Sequence, residues 1–221
     1  MSRIDTDALI DRLAAEALPV RAVAPIWRRV GTWLGLAVPP LLVIVAVHGL
    51  AIDLGTMLAD RTLMVEQVAA LVTAVAAAAA AFASTVPGLD RRWLWLPVLP
   101  LAVWLLALGK GCFDDWVRFG PEGLVITPDF DCFVPMLLMT AVPATAMLAM
   151  LRRGAPLAPR ATVLLGALAT AGIVAFGLRF FHAGDGTISV LVWHMGLAAI
   201  FVGCAGLAGP RLLGWPLPAR P

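Results

Sequence analysis

The sequence predicts an all-α integral membrane protein, a bundle of six transmembrane helices preceded by a short amphipathic helix. Hydrophobic residues make up 61% of the 221-residue chain and charged residues only 14%, which leaves too little polar surface to coat a soluble globule. A spanning helix needs about 20 mostly apolar residues. The six runs that meet this requirement lie near 31–50, 65–86, 92–109, 132–151, 161–181 and 188–208.

Residues 1–30 form a polar amino-terminal segment, ahead of a transmembrane domain at 31–209 and a short tail at 210–221. Asp5 or Thr6 can cap a helix in which apolar side chains recur at helical spacing, and Pro19 ends it. The segment lacks the basic start and apolar core of a signal peptide. Two interpretations stay open: a helix lying on the membrane surface, or a helix that docks in a groove on a soluble partner.

The spans themselves differ in regularity and carry little charge. Pro39 and Pro40 predict a kink in the first span, and Pro97 and Pro100 make the third the weakest of the six. The small-residue run from Ala74 to Ala81 in the second span allows close helix packing. The centres of spans one, two, four and five are almost free of charged residues, which argues against a transport path.

A short basic hairpin at 151–160 fixes the predicted orientation. It carries Arg152, Arg153 and Arg160 close to two helix ends, and positively charged short loops stay on the cytoplasmic side. The other arginines fall on alternate connections, as six spans with both termini in the cytoplasm require. The net charge of +2 therefore hides a basic inner face suited to anionic lipid and an acidic outer face. No recognised nucleic-acid motif accompanies the arginines, so direct nucleic-acid binding is not expected.

The loop expected at 109–131 faces the outside and carries thiol and carboxylate groups. Its candidate residues are Cys112, Asp114, Asp115, Trp116, Asp129 and Asp131, with Cys132 at the mouth of the fourth span. Together with His182 and Asp185 they could bind a metal, although their spacing matches no standard zinc or calcium site. A solvated acidic loop with ordinary thiols is the alternative.

The three cysteines do not define a disulfide framework. A bond between Cys112 and Cys132 is possible on the outer face, and a free Cys132 thiol is equally open. Cys204 lies deep in the sixth span, where we expect a small buried apolar residue. No nucleophile elbow, HExxH motif, phosphate loop or pair of intramembrane carboxylates is present, so we expect neither an enzyme nor a bound cofactor.

Several short patterns then occur in a characteristic order along almost the whole chain. They are Leu9-Ile10, Leu13-Ala14-Ala15, Pro19-Val20-Arg21, Gly49 with Asp53-Leu54, Pro87-Gly88, Cys132, Pro143, the 151–156 hairpin with Pro159, and Trp193-His194. On these residues, and most of all on the Arg-Arg-Gly-Ala-Pro hairpin, the chain resembles the NrsF family, the "negative regulator of sigma F" membrane proteins of proteobacteria.

The resemblance implies a membrane-bound anti-sigma factor of the bacterial inner membrane with a role in a stress response. Such a protein would hold an extracytoplasmic-function sigma factor at the membrane until a signal at the outer face releases it. The sigma-binding residues expected in the amino-terminal helix are Asp7, Leu9, Ile10, Asp11, Leu13 and Leu18. Arg152 and Arg153 of the hairpin would add contacts.

The chain departs from the family pattern where the signal would be sensed. The second outer-face cysteine of the family is missing from 181–185, and Ala51 stands where the family tends to have arginine. We therefore expect a metal-responsive or thiol-responsive site at Cys132 and His182, with Cys112 or Asp185 as a further member. The identity of a metal and the oligomeric state are not predicted. A small six-span transporter or channel and a structural membrane subunit are the alternative functions.

Overall fold

The computed structural model describes residues 6–16, 23–50, 54–88, 90–124, 133–180 and 195–214. Within these ranges the chain forms eight α-helices and no strand, which confirms the all-α prediction for this part of the protein. The helices are α1 (Thr6–Glu16), α2 (Ile26–His48), α3 (Leu54–Ala59), α4 (Arg61–Ala83), α5 (Val98–Phe119), α6 (Phe133–Leu151), α7 (Pro159–Leu178) and α8 (Gly196–Leu212). Short 3-10 helices at Arg91–Trp95 and Gly120–Leu124 flank α5.

Five of these helices, α2, α4, α5, α6 and α7, are long and apolar enough to cross a membrane. The sixth predicted span corresponds in part to α8, which is apolar but has only 17 residues. Residues 181–194, where that span would begin, lie outside the described ranges. The described structure therefore supports five spans, and the sixth stays a prediction.

The helix boundaries correct the sequence-based prediction at two places. α2 begins at Ile26 instead of at residue 31 and runs without interruption through Pro39 and Pro40. α5 does not end at residue 109, so the prediction of an outer loop from there was wrong as far as Phe119. An i,i+4 ion pair between Lys110 and Asp114, 2.5 Å apart, supports the additional turns, and Gly120 with φ +61° ends the helix.

Helices α4 and α7 form the centre of the bundle. More than half of the residues in their spanning windows are buried, 56% and 67%, against at most 28% in the other three spans. The alanine run of α4 permits the close approach, because Gly172 of α7 lies directly against Ala74 and the carbonyl of Ala70. Asp60 caps α4 by accepting hydrogen bonds from the backbone N–H groups of Thr62 and Leu63.

Helix α8 packs on α7 through two glycines on one of its faces. Gly206 lies against Leu164, and Gly209 lies against the backbone of Pro159 and Arg160. This packing turns Cys204 away from α7, so Cys204 is exposed and the prediction of a buried residue was wrong.

Candidate functional site

Helix α1 presents an apolar stripe that nothing in the described structure covers. All eleven of its residues are exposed, and Leu9, Ile10 and Leu13 have exposed fractions of 45%, 56% and 59%. Successive helical residues are about 100° apart, so these three side chains share one side of the helix. Asp7 and Asp11 are exposed on other faces of the helix. Leu18 lies outside the described residues.

The two hairpin arginines make different contacts. Arg152 donates from Nε to the carbonyl oxygen of Leu212, 2.7 Å away, and so satisfies an end carbonyl of α8. Arg153 is exposed and lines a cleft described below. The hairpin backbone is held in turn by α4, since the N–H of Ala155 donates to the carbonyl of Thr85 at 3.1 Å. Arg152 is thus a structural contact as well as a candidate for partner binding.

From the sequence, Arg29 was only one of the arginines that predict the orientation, and its role in the structure was not predicted. Arg29 is 6% exposed, and its guanidinium joins three parts of the bundle. It donates to the Phe82 carbonyl at 3.3 Å, the Thr85 hydroxyl at 2.9 Å and the Met150 carbonyl at 3.1 Å, and it lies 4.4 Å from the centre of the Phe82 ring. We call Arg29, Phe82, Thr85 and Met150 the arginine junction.

A pattern in the sequence could have revealed this position. Arg29 precedes Trp33, Ala37 and Leu41 at intervals of four residues, and all four are buried on one face of α2. The indole of Trp33 is fully buried and donates to the carbonyl of Pro143 in α6, 3.0 Å away. Arg29 therefore continues the buried face of α2 by one more turn towards the amino terminus.

Beside the arginine junction opens a cleft of about 900 Å³, here called the basic cleft. Its lining residues are Val23, Ala24, Pro25, Arg28, Arg29, Thr32, Met150 and Arg153. Three of them are arginines and none is acidic. The cleft is bounded by the start of α2 and by the α6–α7 hairpin, at the same end of the bundle as the carboxyl ends of α4 and α8.

The opposite end of α4 carries a smaller polar pocket of about 170 Å³. It is lined by Asp60, Thr62, Leu63, Glu66, Gly111, Asp114, Asp115, Arg118 and Arg179. Glu66 and Arg179 form an ion pair of 3.8 Å between α4 and the end of α7, and both side chains are largely shielded from solvent. Nε of Arg179 is buried without a hydrogen-bond partner among the described residues. The two ends of the bundle thus carry different charge patterns, as the sequence predicted.

Of the predicted sensing residues, the described structure includes only Cys112. Cys112 is a free, half-buried thiol in α5, not in a loop, and its helix contributes Asp114 and Asp115 to the polar pocket. Cys132, His182 and Asp185 lie outside the described residues. Among the residues that the structure does describe, no group of three or more histidine, cysteine or acidic side chains is arranged to hold a metal ion.

Comparison with known proteins adds one match to this geometry. A protein-family model described as "Negative regulator of sigma F", NrsF, matches residues 13–215. The match covers all the long helices and the last residues of α1, including Leu13, while Leu9 and Ile10 precede it. No curated protein and no solved structure matches the chain. The chain belongs to the NrsF family, a family of negative regulators of a sigma factor.

Proposed function

We propose that this protein is a membrane-bound anti-sigma factor. It holds an extracytoplasmic-function sigma factor at the bacterial inner membrane, with both of its own termini in the cytoplasm, and releases the sigma factor in response to a metal or oxidative signal at the outer face. Family membership supports the regulatory role. The five long apolar helices support a place in the membrane, and the basic hairpin supports the orientation.

The observation that carries the proposal is the uncovered stripe of α1. Fully burying a leucine or isoleucine is worth about 1.5–3 kcal/mol, so three such side chains can drive docking of the helix before the ordering costs are subtracted. Asp7 and Asp11 are exposed on other faces of the helix and complement the basic surface that a DNA-binding protein presents. Leu18, outside the described residues, is a further proposed contact, and Arg152 and Arg153 would contact the partner from the hairpin.

Release requires two conformations of the membrane domain with different affinities for the sigma factor. Helix α4 is suited to connect them, because Glu66 near its start lines the polar pocket and Phe82 near its end belongs to the arginine junction. The polar end is the outer face in the proposed orientation, where Cys132 and His182, with Cys112 or Asp185, would sense the signal. A change at that end would shift α4 and alter the cytoplasmic surface that meets the sigma factor.

The test is capture of extracytoplasmic-function sigma factors of the same cell by the full-length protein in detergent. We expect selective capture of one sigma factor, and a loss of at least about tenfold in affinity when Leu9, Ile10 and Leu13 are all changed to serine. The matched control is Ala15→Gln, an exposed change on the opposite side of the same helix, which should leave capture intact. Capture that survives the triple substitution would move the binding site away from α1, and no capture of any sigma factor would refute the proposal.

A further inference from the structure

We propose that the basic cleft binds a phosphate group, as carried by the headgroup of an anionic phospholipid of the inner leaflet. This inference rests on the membrane placement and orientation proposed above. It goes beyond sigma-factor binding because it assigns a separate ligand to the start of α2 and the α6–α7 hairpin. The lipid would bridge these two elements beside the arginine junction.

The charge of the cleft is unbalanced within the described structure. Buried charges in proteins are normally paired with an opposite charge. Arg29 is 6% exposed, and among the described residues it contacts only neutral groups: two backbone carbonyls, one hydroxyl and an aromatic ring. The described residues that line the cleft include no carboxylate. An anion in the cleft would supply the missing counter-charge to Arg29 from the side that its hydrogen bonds leave open.

The other two arginines are placed to hold that anion. Arg28 and Arg153 are exposed and line the cleft from α2 and from the hairpin, and the described structure shows no ion pair for either of them. Guanidinium groups bind phosphate oxygens with two parallel hydrogen bonds, so two arginines on different elements can grip one phosphate. The first turn of α2 adds free N–H donors, because Pro25 provides no side-chain cap.

The rest of the lining suits a lipid better than a protein segment. Val23, Pro25 and Met150 give the cleft an apolar part that can contact glycerol and acyl carbons. Trp27, 74% exposed in the first turn of α2, marks the level of the membrane interface where tryptophan is enriched. An anionic phospholipid carries its phosphate next to apolar carbons, so it can contact the arginines and the apolar part of the same cleft. These features favour an anionic phospholipid as the occupant.

The experiment measures thermal unfolding of the purified full-length protein in neutral detergent, without any sigma factor. Phosphatidylglycerol, phosphatidylcholine or inorganic phosphate is titrated in separate series. Because a ligand of the folded state stabilises it, we expect phosphatidylglycerol to raise the unfolding midpoint saturably and the other two to act only at much higher concentration. Changing Arg28 and Arg153 to glutamine should raise the phosphatidylglycerol concentration for half the effect by about tenfold.

The matched control is the double variant R91Q/R160Q, which removes the same charge from two exposed arginines outside the cleft and should respond like the unmodified protein. Equal losses of phosphatidylglycerol sensitivity in R28Q/R153Q and R91Q/R160Q would show that the effect depends only on total charge, which would overturn the proposal. A full response in R28Q/R153Q, or no response to phosphatidylglycerol in the unmodified protein, would also overturn it. An equal response to inorganic phosphate would assign the cleft to free phosphate and reject the lipid. Since no sigma factor is present, none of these outcomes depends on the sigma-binding proposal.

Discussion

The arginine junction concentrates more structural contacts on one side chain than any other polar group described above. Arg29 donates to the carbonyls of Phe82 and Met150 near the ends of α4 and α6 and to the hydroxyl of Thr85. The Phe82 carbonyl also accepts from the N–H and the hydroxyl of Thr85, so Arg29 joins an existing cluster of hydrogen bonds there. A buried acceptor that loses its donor costs about 1–3 kcal/mol. Arg29 therefore stabilises the ends of α4 and α6 together, whatever the cleft beside it binds.

Replacing Arg29 by glutamine should lower the free energy of unfolding by about 2 kcal/mol or more, because a shorter neutral side chain cannot reach all three acceptors. The measurement is the thermal unfolding midpoint of the full-length protein in detergent without added lipid. Arg28→Gln is the control, since Arg28 is exposed and adjacent in sequence, and it should change the midpoint little. Equal midpoints for the two variants would show that Arg29 does not hold the junction.

At the residue scale, the sequence predicted on which end of the bundle a charged residue lies but not whether its side chain is buried. It placed Arg29 correctly on the basic side, yet only the position of the side chain relative to Trp33 and Ala37 on α2 shows that it points into the bundle. Cys204 illustrates the reverse case. Its place within an apolar helix predicted burial, but the glycine face of α8 determines which side meets α7, and a single sequence does not reveal which face of an all-round apolar helix is packed.

At the scale of the helices, close approach through small residues holds the bundle together. Without a hydrophobic driving force between helices in lipid, association depends on van der Waals packing and interhelical hydrogen bonds. Glycines Gly172 and Gly209 let α7 meet α4 and α8 at backbone distance, and the hydroxyls of Ser84 and Thr162, 2.8 Å apart, join the end of α4 to the start of α7. The contacts leave no space for added side-chain atoms.

Gly209→Ala should destabilise the protein by about 1–3 kcal/mol, because a Cβ there would stand 2.6 Å from the carbonyl oxygen of Pro159, a backbone atom that cannot move away cheaply. Gly203→Ala in the same helix is the control. A Cβ at position 203 meets nothing within 4 Å and should be neutral or stabilising by about 0.5–1 kcal/mol. Thermal unfolding of both variants side by side measures the difference, and similar midpoints would contradict tight packing of α8 on α7.

The helices themselves were predictable from hydropathy, and their ends were not. The apolar runs located α2, α4, α6 and α7 because length and composition dominate insertion into a membrane. The third span was predicted to end at residue 109 because hydropathy falls at Lys110. The helix continues to Phe119, and the ion pair between Lys110 and Asp114 that supports these turns does not appear in a hydropathy profile. The start of α2 was predicted too late for the same reason, because Arg28 and Arg29 are charged but belong to the helix.

For the whole molecule, the two ends of α4 define the functional axis. Glu66 contacts Arg179 at one end, and Phe82 and Thr85 contact Arg29 at the other. At 1.5 Å per residue, α4 is about 35 Å long, and Glu66 and Phe82 are about 24 Å apart along it, comparable with the roughly 30 Å thickness of the hydrocarbon core of a membrane. The polar pocket and the basic cleft therefore lie at opposite ends of the most buried pair of described helices, as the proposed mechanism requires.

The proposed mechanism requires both ends of the chain to lie in the cytoplasm, which depends on whether the number of spans is even or odd. The positions of the two termini therefore test the number of spans directly. Six spans place both termini on one side of the membrane, and five place them on opposite sides. The positive-inside pattern predicts six, with Arg211 and Arg220 on the same side as the hairpin. Fluorescent-protein fusions, which fluoresce only in the bacterial cytoplasm, should be bright at Met1 and at Pro221, and an alkaline phosphatase fusion at Pro221, active only outside the cytoplasm, should be silent. A fusion at Pro221 that shows phosphatase activity and no fluorescence would mean that α8 does not complete a sixth span, and the tail would then face the outer side.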